Sequence, residues 1–363
     1  MSPRHDPFPL TPEAWEAAAR ERLGRDVYDY YAGGAGDEVT VRANRTAWAE
    51  LFLRPRVLVD VSEVDTSVTL LDAQLPHPVI LAPTAFQRLA HADGELATAR
   101  AASASGTLLV ASSLSTTPIE EIAATTNSPL WLQLYVFRDR ELSLDLVQRA
   151  RAVGCQAVCL TVSVPVQGNR ERDARNRFRL PKGLEMANFR GHEQVSFPGE
   201  AEASGLESFI DKHLDPRLDW SAVGWLVRTA GIPVVVKGVL TREDARLAVE
   251  HGAAAVIVSN HGGRQLDGAV PTARALREVT DGVEGSVPVL VDGGIRRGID
   301  VVRAVALGAS AVLIGRPYLW GLAVSGQAGV EHVLGQLVGD VRRALALTGR
   351  TRLRDVDSRI LAR

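Results

Sequence analysis

The residues Ser259-Asn260-His261-Gly262-Gly263-Arg264-Gln265-Leu266-Asp267-Gly268 follow the apolar run Ala255-Val256-Ile257-Val258. They set an imidazole and a guanidinium three residues apart at the mouth of a buried strand. A neutral histidine there can take a proton near neutral pH. An arginine one turn along can hold a carboxylate through two parallel hydrogen bonds. Lys237 ends another apolar run, Val234-Val235-Val236. Unpaired burial of an ammonium is costly, so Lys237 faces an anionic ligand, forms a Schiff base, or pairs with a carboxylate such as Asp292. Two glycine-rich turns complete the set, Asp292-Gly293-Gly294-Ile295-Arg296 and Gly315-Arg316-Pro317. Successive N–H groups in such turns cradle a phosphate, glycine lets it approach, and Arg296 and Arg316 add charge-assisted bonds.

These groups need a scaffold that brings strand ends together. Eight short apolar runs, at residues 79–83, 107–112, 130–136, 157–162, 233–238, 255–260, 287–293 and 311–316, alternate with helical patterns. Runs that are apolar throughout indicate strands covered on both faces, as in parallel sheets. Helical spacing recurs at 94–105, 140–153, 242–251 and 298–307. Gly106, Gly154, Gly252 and Gly308 stand where left-handed caps are wanted, and Thr241 precedes Asp244 by three residues, as at a helix start. Eight such units predict an α/β fold, a TIM (β/α)8 barrel. A doubly wound open sheet fits less well, because no G-x-G-x-x-G turn follows an early strand. In such a barrel the chemistry belongs to the strand C-termini and the loops after them, with phosphate at the last two strands. The polar strand ends here are Thr84, Ser112, Gln133 with Tyr135, Thr161, Lys237, Ser259, Asp292 and Gly315.

The chain reads as a single domain over residues 1–363, with residues 1–75 as an N-terminal helical extension carrying a short β element. Residues 180–220 form a long polar insert after the fourth strand, a length typical of a mobile lid. The formal charge is −2 and no basic stripe with interleaved aromatics occurs, so no nucleic-acid partner is expected. Cys155 and Cys159 lie in an apolar run and read as core thiols. Their number suits a reducing, cytoplasmic compartment. No metal site is expected. No signal-peptide core or membrane-spanning run occurs in the sequence, so a soluble protein without membrane contact is expected.

Several motifs, in order along the chain, carry a family resemblance: VYDYYAGGAGDE, LFLRPR, LAPTAFQ, QLYVFRDR, VVKGV, SNHGGRQLDG, VDGGIRRG and IGRP. With them the sequence resembles the FMN-dependent α-hydroxy acid oxidases and dehydrogenases, such as the glycolate, lactate and mandelate oxidases. The resemblance implies an FMN enzyme that oxidises a 2-hydroxy acid to the 2-oxo acid, and a homo-oligomer, a tetramer in many relatives. It implies that the backbone at Thr84-Ala85 and the side chains of Ser112, Gln133 and Thr161 meet the flavin, with Lys237 at its N1–C2 edge. Ser259 would lie near the flavin and ribityl chain, Asp292 would bind ribityl hydroxyls, and Gly293, Gly294, Arg296, Gly315 and Arg316 would hold the phosphate. Arg170 and Arg264 would clamp the substrate carboxylate with help from Tyr30, Tyr135 would meet the substrate hydroxyl, and His261 would be the base.

Two departures stand out. The family's fourth strand ends in T-V-D, whose aspartate hydrogen-bonds the histidine; here it reads Thr161-Val162-Ser163. Serine can accept a hydrogen bond but supplies no charge, so His261 is expected to be a weaker base. That keeps open an alternative, an FMN-dependent tailoring oxidase acting on an amine or another modified substrate. Leu114 stands where glycolate oxidases carry tryptophan, and with Phe86 as an aromatic wall this favours a bulky, mandelate-like substrate. Apart from Arg170, the stretch RERDARNRFR is expected to be mostly a solvated face.

Overall fold

The structure is a computed structural model and describes residues 8–192, 195 and 205–362. Eight parallel strands close into a barrel: β3 (Val79–Leu81), β4 (Leu109–Ser112), β5 (Leu130–Leu134), β6 (Ala157–Thr161), β7 (Val234–Val239), β8 (Ala255–Val258), β9 (Val289–Val291) and β10 (Ala311–Ile314). β10 pairs with both β9 and β3, which seals the sheet. All eight predicted strands are present. Most stop short of the predicted C-terminal limits, because the polar residues there leave the ladder to form the loops of the site. β7 is the exception: it runs one residue past the prediction, to Val239, with a register shift between Lys237 and Val239 against β8.

The two faces of each strand go to different cores. Ile80, Val110, Trp131, Cys159, Val235, Ile257, Leu290 and Leu313 fill the barrel interior, whereas Leu81, Leu109, Leu132, Val158, Val236 and Val258 pack outward. An antiparallel hairpin, β1 (Val68–Leu70) with β2 (Ala73–Leu75), adds Leu70 and Leu75 to the interior cluster. Because side chains alternate with period two, each interior residue sets the direction of the residue two places along. Val110 leads to Ser112 and Leu114, Trp131 to Gln133 and Tyr135, and Cys159 to Thr161 and Ser163. On the other side Val235 leads to Lys237, Ile257 to Ser259 and His261, and Leu290 to Asp292. The site continues the inward face of the barrel by one or two layers.

Three helices precede the barrel: α1 (Pro12–Arg22), α2 (Arg25–Ala32) and α3 (Val39–Ala49). All three lie in the expected helical extension, and the β1–β2 hairpin is its short β element. The barrel helices include α4 (Gly94–Ser105), α5 (Ile119–Thr125) and α6 (Arg140–Ala152). A short α7 (Glu171–Arg175) and α8 (Gly205–His213) follow β6, then α9 (Trp220–Ala230), α10 (Arg242–Glu250), α11 (Thr272–Val283), α12 (Gly298–Ala306) and α13 (Arg316–Leu347). Thr241 caps α10 by accepting from the Asp244 N–H, and the four predicted cap glycines all have positive φ.

The described part of the polar insert is packed. Ala187, Asn188 and Phe189 are buried, and the Asn188 amide donates to the carbonyls of Ser112 and Ser113 while its oxygen accepts from Ile119 N–H. Residues 193–194 and 196–204, where part of the predicted lid falls, lie outside the described residues. Cys155 and Cys159 are buried as expected, and burial pushes both thiols up to about 12. No helix among the described residues is long and apolar enough to cross a membrane.

Candidate active site

The turn after β8 is the most constrained loop of the barrel mouth. His261, Gly262 and Gly263 have φ of 57°, 65° and 76°. The left-handed region disfavours side chains, so His261 must be held there by its neighbours. The buried amides of Asn44 and Asn260 bond each other twice at 2.8 Å, and Asn260 Oδ1 also accepts from Gly263 N–H. A Cβ at Gly263 would lie 2.7 Å from the Val41 backbone nitrogen, which makes glycine obligatory. Helix α3 therefore clamps the turn, and Asp267 reinforces it by accepting from Val39 and Thr40 N–H. Asn44, Trp48 and Asn260 escaped the sequence reading, since the first two act from α3 on turns far along the chain and Asn260 shows its role only once paired with Asn44.

His261 and its neighbours line one cavity. Its Nδ1 lies 3.1 Å from Ser163 Oγ. Burial pushes the imidazole well below its ordinary range, and the charges of Lys237, Arg170, Arg264 and Arg316 push it the same way. The ring is a neutral base at neutral pH. Arg170 donates from Nε to the Arg264 carbonyl and from Nη2 to Gln265 Oε1, each at 3.2 Å. Arg264 Nη1 donates to the carbonyls of Tyr30 and Gly33, with its guanidinium 5.1 Å from the Tyr30 ring centre. Tyr30 stacks on Phe178 at 4.1 Å. Burial raises the Tyr30 and Tyr135 hydroxyls to about 12, so both stay protonated as hydrogen-bond donors.

On the neighbouring strand Lys237 Nζ lies 2.8 Å from Asp292 Oδ2 and donates to Ser259 Oγ at 2.8 Å. The ion-pair reading of Lys237 is what the structure shows. Thr84, Ala85, Ser112, Gln133 and Thr161 line the same cavity, as do Gly293, Gly294, Arg296, Gly315 and Arg316. Burial lowers the Arg296 and Arg316 guanidiniums to about 10 and about 9, so both remain cations. Arg316 donates to the carbonyls of Tyr31, Gly33 and Gly262, which ties helix α2 to the histidine turn. Gly293 is fixed from behind by Trp48 Nε1, which donates to its carbonyl at 2.8 Å. A Cβ at Gly294 would lie 2.2 Å from the Asn44 carbonyl oxygen.

Two expectations need correction. Phe86 is not a cavity wall: with φ 60° and its N–H tied to the Leu114 carbonyl, it is fully buried with its ring 5.9 Å from that of Tyr30. Ser259 lies directly behind the lining, its hydroxyl buried between Lys237 Nζ and the His261 N–H. The stretch after Arg170 is solvated only in part: Glu171, Ala174, Arg175 and Arg177 are exposed, but two of its charges are drawn inward. Asp173 is buried beside Arg170, and Arg172 bridges Asp29 of α2 and Glu38, because α7 packs against the N-terminal extension. Leu114 does line the cavity, together with Val164 and with Leu206 and Ile210 of α8. The last two were missed, although their spacing of four in a helical pattern marks one face.

Whether these residues suit a phosphorylated flavin is tested by polar atoms that the protein leaves unpaired. Among the described residues the buried Gln133 Nε2 and Asp292 Oδ1 have no hydrogen-bond partner. Buried polar groups are normally satisfied, so an orphan donor at one side and an orphan acceptor at the other call for a ligand with polar ring edges and hydroxyls. At Gly315 a Cβ would meet only Thr84, at an ordinary 3.7 Å, so protein packing does not demand the glycine and space for a ligand does. The residues fit the group.

Comparison with known proteins gives the same answer by an independent route. Residues 19–363 match the family described as FMN-dependent dehydrogenase. The chain is 48% identical to an L-lactate oxidase of Nostoc sp. over 97% of its length and 98% of that protein's. It is 48% identical to glycolate oxidase 3 of Arabidopsis thaliana, covering 94% and 93% of the two chains. A crystal structure of mandelate oxidase with (S)-4-hydroxymandelic acid superposes with a TM-score of 0.93 at 44% identity, over 98% of both chains. A closed barrel whose mouth carries a histidine, paired arginines and unpaired flavin-compatible polar atoms is thus found in sequence company that uses the same cofactor, and the chain belongs to the FMN-dependent dehydrogenases, as an FMN enzyme that oxidises 2-hydroxy acids.

Proposed function

We propose that the cavity oxidises a 2-hydroxy monocarboxylic acid with a bulky apolar or aromatic side chain to its 2-oxo acid. The observation that carries the reading is the shared cavity: His261, Arg170 and Arg264 open onto the space walled by Leu114, Val164, Leu206 and Ile210. FMN when bound accepts the two electrons. Gln133, Ser112, Thr161 and the Thr84-Ala85 backbone would face its ring, Lys237 its N1–C2 edge and Asp292 its ribityl hydroxyls. Gly293, Gly294, Arg296, Gly315 and Arg316 would hold its phosphate.

The remaining steps belong to the chain. Arg170 and Arg264 hold the substrate carboxylate, with the Tyr30 hydroxyl as a further donor. Tyr135, protonated throughout the neutral range, fixes the substrate hydroxyl. His261 is neutral and takes the released proton at Nε2, because Nδ1 is engaged by Ser163. Charge supports a monocarboxylate. Among the charged side chains that line the cavity, Lys237, Arg170, Arg264, Arg296 and Arg316 meet one carboxylate, Asp292, while Asp173 lies beside Arg170 and Glu13, Glu16, Glu38 and Asp300 act on Arg296 and Arg316 from outside the lining. A phosphate monoester and one carboxylate offset that local excess of cations, whereas a second carboxylate would sit against aliphatic walls without a partner.

Replacing Leu114 with Trp tests the side-chain subsite. The indole would fill the aliphatic wall, so kcat/KM for mandelate is expected to fall by about 10–200-fold, the range for a poorly fitting apolar group, while kcat/KM for glycolate falls far less. Equal losses on the two substrates would remove Leu114 from the specificity argument.

A further inference from the structure

His261 is held in place without an anion. Among the described residues its ring makes one hydrogen bond, Nδ1 to Ser163 Oγ at 3.1 Å. The strongest charges acting on it are cations from four surrounding segments: Lys237 on β7, Arg170 just before α7, Arg264 in its own loop and Arg316 at the start of α13. The two nearby carboxylates are engaged elsewhere, Asp292 with Lys237 at 2.8 Å and Asp173 beside Arg170 at 3.9 Å. Two further ionisable groups of the cavity, Tyr30 and Tyr135, are protonated and neutral. Ser163 is tightly seated, since a Cβ on Gly238 would lie 2.8 Å from its own Cβ. Its hydroxyl can orient the ring and accept from Nδ1–H, which leaves the Nε2 lone pair for the ligand. It cannot balance an imidazolium charge.

We propose that Ser163 is a positioning residue that leaves the counter-ion of protonated His261 to be supplied by the bound ligand's carboxylate, so that carboxylate binding and His261 protonation are coupled. The inference rests on the reading of Arg170 and Arg264 as a carboxylate clamp. An anion brought close to a buried imidazole raises its proton affinity by about 1–3 pH units, and linkage makes the effect reciprocal. The free ring is neutral well below the ordinary histidine range, and the ligand-bound ring titrates higher. Proton uptake on binding is therefore confined to the interval between those two values and vanishes above the higher one. Inside that interval the Kd of a carboxylate falls by up to about tenfold for each unit of falling pH. The 2-oxo acid product would accordingly leave fastest at the alkaline end.

The test uses the FMN-loaded enzyme and benzoylformate as probe. Calorimetric titration in buffers of different ionisation enthalpy, between about pH 5 and 8, counts protons, and perturbation of the flavin spectrum reports binding. Uptake is expected to grow as pH falls and to disappear in His261→Asn. Ser163→Asp provides a fixed anion, so its uptake curve should move upward by about 1–3 pH units, while Ser163→Ala should keep the wild-type curve. Binding without proton uptake, uptake that survives in His261→Asn, or an unmoved curve in a folded Ser163→Asp variant would each overturn the coupling. Should Asp be too large for the contact with Gly238, the His261→Asn comparison decides alone. A probe that leaves the flavin spectrum unchanged and releases no heat refutes the clamp reading itself, and the coupling falls with it.

Discussion

His261→Asn is expected to yield a yellow protein that binds carboxylates but reduces its flavin about 10²–10⁴-fold more slowly than the wild type, the usual worth of a general base. Asparagine is the informative replacement because the backbone at His261 has φ 57°, a conformation that asparagine tolerates better than most residues. The turn is held by Asn44, Asn260 and Arg316, none of which uses the imidazole. Loss of rate with retained colour and retained binding would therefore report the missing proton acceptor and not a collapsed loop. Single-turnover anaerobic mixing with mandelate measures it, and a rate within a few-fold of wild type would exclude His261 as the base.

The second large effect concerns Lys237, and it is expected in stability as much as in catalysis. Lys237 and Asp292 form a buried pair with side-chain exposures of 6% and 12%. Asp292 Oδ1 has no partner, so the ammonium is the group that compensates this carboxylate. Lys237→Met leaves it uncompensated, and breaking a buried pair from one side costs about 3–5 kcal/mol. Denaturant titration of the variant should show that loss. The double variant Lys237→Met with Asp292→Asn should recover most of it, because the stranded charge is gone, but should remain slow in flavin reduction. A single variant as stable as the wild type would mean that the pair does not hold the barrel mouth together.

Much of this arrangement is legible in the sequence because a barrel strand converts position into direction. Once Val235 or Ile257 is an interior residue, Lys237 or Ser259 and His261 must point inward as well, and the glycine pairs at 293–294 and 262–263 mark turns that only glycine fits. What escaped depends on contacts between segments distant in the chain. Phe86 has the composition of a pocket wall, yet its left-handed backbone and its contact with Tyr30 bury it elsewhere. Arg172 and Asp173 read as surface charges until α7 is seen packed against α2 and Glu38. Leu206 and Ile210 belong to an insert whose path no periodicity predicts, although together they complete the aliphatic wall.

The specificity of the reaction bears on the departure at Ser163. A histidine without an adjacent carboxylate abstracts a proton less readily, so substrates that acidify their own α-carbon gain most, and an aryl group beside that carbon does so. The aliphatic walls and the proposed weaker base would thus favour the same class of molecule, for reasons that are chemically separate.

The most direct measurement is anaerobic mixing of the oxidised enzyme with glycolate, 2-hydroxyisocaproate, mandelate, malate and a benzylic amine, following the flavin absorbance. Mandelate and 2-hydroxyisocaproate should bleach it with an efficiency at least about tenfold above that for glycolate, the low end of what apolar-pocket discrimination supplies, and malate and the amine should leave it yellow. Bleaching by the amine while every hydroxy acid leaves the flavin oxidised would contradict the proposed chemistry, and equal efficiency with glycolate and mandelate would contradict the proposed pocket.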